Sequence, residues 1–430
     1  MTNFELLPVV AALSLALTGV AQAADGDPSV WSFSGFGTLA AVHSSEREAD
    51  FAGSNLQPSG AGRTRGTSFS PDSKLGGQVT ARLSPELSAV VQVVTQHRYD
   101  SSWTPQIEWA NVQYQFSPAL RVRLGRIALP SFMVSETRHV GYANPSVRPP
   151  QEVYFLNTVT SNDGVDATHV SHVGDAVNSL SAFYGSTGAR APGGIRFKAK
   201  SSWGINNTFE KGATTLRVSY VYVKADAEVP SLQPLSDGLN GFGAAASAIP
   251  VPSIQAAGAQ AVALAQKYSL KDVPRQTLSI GISHDTGQWF VTGEYVRFVG
   301  SEVFANSNSG YVTAGFRAGT WTPYATLATT KTPQHTADSI STAGLPPQLA
   351  AAAAALNAGV SAFASGIPAP TQKSATLGLR WDFRKNAAAK LQVDHIDLGT
   401  NSYGHLINRS PGYPPGGKLN LVSAAVDFVF

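Results

Sequence analysis

Apolar and polar residues alternate one by one through most of this chain, and few architectures can bury such a pattern. Leu120, Val122 and Leu124 alternate with Arg121 and Arg123, and Leu216, Val218, Tyr220 and Tyr222 alternate with Thr215, Arg217 and Ser219. The pattern returns at Ala375, Leu377, Leu379 and Trp381, and again at Val422, Ala424, Val426, Phe428 and Phe430. A period of two describes a strand with one apolar and one wet face. In a sandwich of two sheets the apolar faces meet each other. In a membrane barrel they meet lipid, and the wet faces line the interior.

Counting the segments separates the two. Alternating strands are predicted over 31–43, 73–84, 87–99, 105–116, 119–129, 164–172, 177–185 and 201–209. They continue over 213–224, 274–285, 288–299, 309–318, 321–331, 372–383, 388–398 and 418–430. That makes about 16, an even number, and most can cross a membrane at a tilt. The connections alternate in length. Ser84-Pro85-Glu86, Ser117-Pro118, Glu210-Lys211-Gly212, Asp285-Thr286-Gly287 and Gly319-Thr320 are brief, whereas 44–72, 130–163, 225–273, 332–371 and 399–417 are long. A sandwich has no reason to gather its long connections at one end. The expected fold is all-β: a membrane-spanning, antiparallel, up-and-down β-barrel with short periplasmic turns and long external loops.

Hydrophobic residues make up 43% of the chain and mean hydropathy is −0.04, which excludes a helical membrane bundle. The absence of Cys excludes disulfides, zinc-thiolate sites and thiol nucleophiles. A formal charge of +3 with no Lys/Arg tract gives no argument for nucleic acid. Leu6 to Val20 is an uncharged apolar run followed by Ala21-Gln22-Ala23, the layout of an export signal over 1–23 with a cleavage site, although its first residues carry Glu5 and no cation. Residues 24–430 then form a single barrel domain. Two Ala-rich stretches, 244–266 and 345–369, read as helical or semi-ordered excursions within long loops rather than membrane spans.

Strand parity assigns Arg82, Arg121, Arg123, Arg217, Arg317, Arg380 and Lys390 to the interior, with the acids Glu294, Asp382, Asp394 and Asp427. Arg126 is out of phase with Arg123 and is expected past a bulge or at the rim. Trp31, Phe33, Trp109, Tyr114, Phe116, Trp289, Trp321, Tyr324, Trp381 and Phe383 lie near strand ends, where rings favour the membrane-water interface. His169 and His172, near Asp166, face opposite sides of one strand and are not a metal pair. No nucleophile elbow or Gly-rich phosphate loop is present. No catalytic residue, metal site or cofactor is expected.

In layout the chain resembles the general Gram-negative porin family over nearly its whole length. The resemblance is carried by the terminal Phe430 and by Val122-Arg123-Leu124-Gly125-Arg126-Ile127 followed by Leu129-Pro130. It implies a homotrimer in the outer membrane, among lipid and lipopolysaccharide, passing small hydrophilic solutes. It further implies that Phe430 is a signal for the barrel-assembly machinery. It also implies that loop 130–163 folds inward as the constriction, carrying Glu136, Arg138, His139, Arg148, Glu152, Asp163 and the Pro149-Pro150 pair. With the interior arginines this loop suggests a mild anion preference, Glu136, Glu152 and Asp163 being the acids expected to face Arg121 and Arg123. The long Ala-rich inserts depart from the family's compact pattern. A barrel hydrolase and a structural or adhesive barrel are the competing functions.

Overall fold

The computed structural model describes residues 30–157, 159–301, 306–334 and 337–430. The expected export signal, 1–23, lies outside the described residues. Sixteen long strands form the wall. In chain order these are β1 (Trp31–Ser44), β2 (Lys74–Arg82), β3 (Leu87–Gln96), β4 (Gln106–Ser117), β5 (Leu120–Ala128), β6 (Ser161–Val173), β7 (Ala176–Ala191) and β8 (Ile195–Lys211). Then follow β9 (Thr214–Glu228), β10 (Val273–Asp285), β11 (Trp289–Val299), β12 (Ser307–Phe316), β13 (Trp321–Lys331), β14 (Gln372–Arg384), β15 (Ala387–Leu398) and β16 (Gly417–Val429).

Each strand pairs antiparallel with its sequence neighbours, and β16 pairs with β1 from Phe36↔Val429 to Ser44↔Leu421. The sheet therefore closes on itself, and no edge is left with unpaired backbone groups. At the seam Gly35 and Phe430 exchange both backbone hydrogen bonds, at 2.9 and 3.0 Å. The Phe430 and Phe428 rings lie across Gly35 and Gly37, where a Cβ would come within 2.3 Å of each ring. Glycine there lets the rings cover the backbone of the first strand.

The outer face is an apolar band. Leu124, Val312, Leu327, Leu377 and Leu391 are all more than half exposed, an arrangement that is stable only against lipid. Trp31, Phe33, Tyr114, Phe116, Trp289, Phe316, Trp321, Trp381 and Phe383 ring the short-turn end on this face, with Trp321 stacked on Trp381 at 5.2 Å. Tyr324 departs from the expected girdle. It points inward, buried, and its hydroxyl donates to Gln392 at 2.8 Å.

The short connections gather at one end. At the other, the rhythm predicted from the sequence fails once: β7 and β8 run past the membrane as one long hairpin joined by residues 192–194. The Ala-rich stretches are helical: α2 (Gln233–Ser247) and α3 (Pro252–Lys267) between β9 and β10, and α4 (Pro347–Gly366) between β13 and β14. A one-turn helix, α1 (Gln151–Tyr154), lies in the loop after β5. Leu239, Ala257, Ala261, Leu264, Ala353 and Val360 pack into a small core, so the two inserts make one three-helix crown.

Candidate functional site

The loop between β5 and β6 enters the barrel and is fastened across its interior. Pro130 starts it, its carbonyl accepting from Asn206 on β8 at 3.3 Å and Ser219 on β9 at 2.7 Å. Glu294 on β11 then accepts from the Met133 amide at 2.9 Å and the Tyr154 hydroxyl at 2.8 Å. Further along, Lys390 on β15 donates to the carbonyls of Gly141 and Ser146, at 2.8 and 2.9 Å, and pairs with Asp427 on β16 at 2.7 Å. Arg380 on β14 donates to the carbonyls of Tyr142 and Asn144, at 2.7 and 3.0 Å, while Asp382 holds its other edge.

Arg148 is the tightest fastening. Its guanidinium, 8% exposed, reaches Asp72 at 2.7 Å, Asp394 on β15 at 3.0 Å and the Ser423 hydroxyl on β16 at 2.6 Å. Burial works against its charge, but the two carboxylates outweigh that cost and hold its pKa above the ordinary arginine value. Glu152 sits nearby, accepting from Gln372 on β14 at 2.8 Å. Burial pushes its carboxyl above the usual range, with Gln372 opposing. Arg138 donates to the Asn157 carbonyl at 3.1 Å, and burial lowers its pKa. Beside it His139 lies 3.5 Å from Glu108, and burial, opposed by that carboxylate, lowers the imidazole's pKa.

These anchors fasten the loop to β8, β9, β11 and β14–β16, and His139 beside Glu108 brings it to β4 as well. Arg121 and Arg123 stand on the inner face of β5. Arg123 is held by both oxygens of Asp166 on β6, and Glu136 on the loop interacts electrostatically with both arginines. Asp166 is the partner that sequence parity did not single out. It sits directly across from Arg123 in the β5–β6 register.

Several expected site residues lie elsewhere. Of the three loop acids set against the arginines only Glu136 faces them. Glu152 is turned to the far wall, and Asp163 belongs to β6, where it grips Arg126 at 2.6 Å. Arg126, three residues from Arg123, is out of phase by simple alternation, and the pairing with β4 and β6 runs unbroken through Gly125, whose φ of 124° and Cβ position 2.3 Å from the Ala110 carbonyl oxygen admit only glycine. Arg317 is at the short-turn rim, paired with Asp285 at 2.6 Å, and Arg82 is the last residue of β2 at that same end. Arg217 faces inward and donates to the Met133 carbonyl at 3.4 Å. Arg148 and Arg380 fasten the loop rather than stand free in the lumen.

At the long-loop end lies a cavity of about 830 Å³, lined by residues of β3–β9 and of the loops after β1 and β5. Its lining carries eight Lys and Arg against five Asp and Glu, including Lys74, Arg98, Arg190 and Lys198. Alternation did not mark this cavity in advance, because Arg190, Arg196 and Lys198 lie on the unforeseen extension of the β7–β8 hairpin.

No protein-family model matches the sequence, and no curated protein is detectably similar to it. Solved structures do share the fold. OmpF of Salmonella typhi, in complex with daunomycin, aligns with 10% identity over 93% of this chain and 97% of its own, at a TM-score of 0.53. The outer membrane channel DcaP of Acinetobacter baumannii aligns with 9% identity over 93% and 97%, at 0.52. The anion-selective porin of Comamonas acidovorans shares 14% identity over 93% and 99%, at 0.50. The chain has the fold of the outer-membrane porins.

Proposed function

We propose that this protein is a porin of the Gram-negative outer membrane, a water-filled channel for passive diffusion of small hydrophilic solutes with a mild preference for anions. The observation that carries the reading is the charged slot. Arg121 and the Arg123–Asp166 pair stand on one wall, and Glu136 faces them from a loop bolted across the lumen. A barrel of sixteen strands is wide enough to stay hydrated, and selectivity then rests on pore width and fixed charge at the narrow zone. The vestibule, with more cations than acids, concentrates anions ahead of that zone.

Residues 1–23 direct export in this reading, and Phe430 is the terminal signal read by the barrel-assembly machinery. Beyond the Trp31 and Phe33 rings, the outer face over β16 and β1–β3 is built from small and aliphatic residues such as Ala424, Ala41, Gly77 and Ala89, and it suits close packing of subunits into a homotrimer.

The test is conductance and reversal potential in planar bilayers under a salt gradient. Replacing Arg121 and Arg123 by Gln removes two positive charges and releases Asp166, so permeability should shift toward cations and conductance should rise. An inserted, heat-modifiable variant with unchanged reversal potential would overturn the assignment.

A further inference from the structure

A closed barrel leaves a strand edge open only where one strand outruns its neighbour. β7 does so. Its ladder with β6 ends at Ser186↔Asp163 and β6 starts at Ser161, so Ala189, Arg190 and Ala191 pair with β8 alone. Among the described residues no backbone hydrogen bond reaches these three from any other element. The chain that precedes β6 does not cover them, because it belongs to the inward loop. Four consecutive residues, Thr187 to Arg190, line the cavity of about 830 Å³. Side chains of a strand alternate between faces, so an unbroken run of this kind means that β7 presents its edge to the cavity.

One face of this extension is basic. Arg190 stands directly opposite Arg196, and Lys198 lies two residues from Arg196 on the same face, while Ala191, Ala199 and Ala225 are buried on the other. All three cations line the cavity. Like charges facing each other across a ladder repel. The neighbouring acids do little to offset them. Asp226, opposite Lys198, lies 2.9 Å from Lys200, Asp163 holds Arg126, and Asp100 accepts from Ser102 at 2.7 Å. Glu228 comes no closer than 3.9 Å to Arg196, and both side chains are more than half exposed. Arg190 itself donates to the Tyr99 hydroxyl at 3.2 Å, a neutral partner on the loop after β3.

We propose that the β7 edge at Ala189–Ala191 binds a short, extended peptide with acidic side chains at alternate positions, as a first station for that solute at the mouth of the channel. A strand added there lies about 4.8 Å from β7 and takes up its unpaired N–H and C=O groups. Every second side chain of the added strand falls on the face of Arg190. A carboxylate at that place replaces the Tyr99 hydroxyl with a charge-assisted bond and relieves the repulsion between Arg190 and Arg196. A simple anion neutralises the cations but leaves the edge open. The cavity has the volume of a small-ligand site, which suits a few residues rather than a segment of a folded partner. This inference names a substrate class for the channel and rests on the channel reading.

The experiment is titration calorimetry of the intact barrel in detergent with the N-acetylated, C-amidated peptide Asp-Val-Asp-Val. Two control peptides accompany it, one with Asn for Asp and one with every backbone amide N-methylated. The parent should bind the first peptide on the order of tenfold more tightly than either control. Arg190→Gln with Lys198→Gln should bring the Asp and Asn peptides to equal affinity, whereas Arg190→Lys with Lys198→Arg should keep the preference. Equal affinity of the parent for the N-methylated peptide would overturn the site, because the edge would then contribute nothing. Undiminished preference in the double Gln variant would overturn it too, as would displacement of the peptide by succinate at matching concentration, the mark of a plain anion site. Binding of a twelve-residue acidic peptide without binding of the tetrapeptide would assign the edge to a protein partner instead. Conductance of the parent in plain salt is measured separately. A conducting barrel that ignores the peptide sinks this site alone, and a barrel that binds the peptide without conducting sinks the channel reading alone.

Discussion

At the scale of single residues, polar groups inside this barrel are defined by what faces them. His405, in the loop after β15, stacks on Phe155 with centroids 4.6 Å apart and planes 11° apart. Neither ring nitrogen has a hydrogen-bond partner among the described residues. Burial alone pushes its pKa down to about 3 from the usual 6.5, so the folded loop requires the neutral ring. A detached loop takes up a proton below pH 6.5 and the folded one does not, so stability falls as the pH drops from 6.5 toward 3. Thermal unfolding followed between pH 7.5 and 4 should show a falling midpoint for the parent. A His405→Phe variant, which keeps the stack without the titration, should show a flatter dependence.

Among elements, the inward loop is the one whose position follows from specific bonds. Its anchors pair Glu294 on β11 with the Met133 amide, and Arg380 on β14 and Lys390 on β15 with loop carbonyls, groups that would otherwise be buried unpaired. Arg148 matters most, because it joins the loop to Asp72, Asp394 and Ser423 together. Arg148→Met keeps the bulk but strands two buried carboxylates, a change that costs on the order of 3–5 kcal/mol. The wall has many strand pairings and will survive, so the loss should appear in the loop. Single-channel recordings should show larger, noisier openings, and proteolysis should nick segment 138–150. An unchanged conductance with an intact loop would show that the remaining anchors suffice.

For the molecule as a whole, closure and orientation follow from one another. The seam of β1 with β16 fixes the number of strands, and the short turns then share one end. At the other end, loop 45–73 packs against the loop after β15 through Phe51, Leu406 and Tyr413, while the helical crown stands over β9–β10 and β13–β14. The open vestibule is therefore displaced toward β3–β8. Epitope tags placed within 225–273 or 332–371 should be labelled on intact cells, whereas tags at Glu86, Lys211 or Thr286 should be labelled only after permeabilisation. Labelling of the short turns on intact cells would invert the orientation.

What the sequence determined by itself was the wall. Alternation fixes which face of a strand meets lipid, and it survives small errors in strand ends, so strand number, antiparallel order and the inward side of Arg121, Arg123, Arg380 and Lys390 were legible. Its failures have local causes. Tyr324 is an interior ring at a position that reads as a girdle, and polar residues prolong the β7–β8 hairpin where no apolar face marks a strand. Only the tertiary structure decided what fills the lumen. A loop has no periodicity, and whether Glu136, Glu152 or Asp163 faces an arginine depends on which carbonyls and carboxylates the opposite wall presents. Those partners lie across the barrel, as Arg148 and Asp394 do, and closure of the sheet is what brings them within reach.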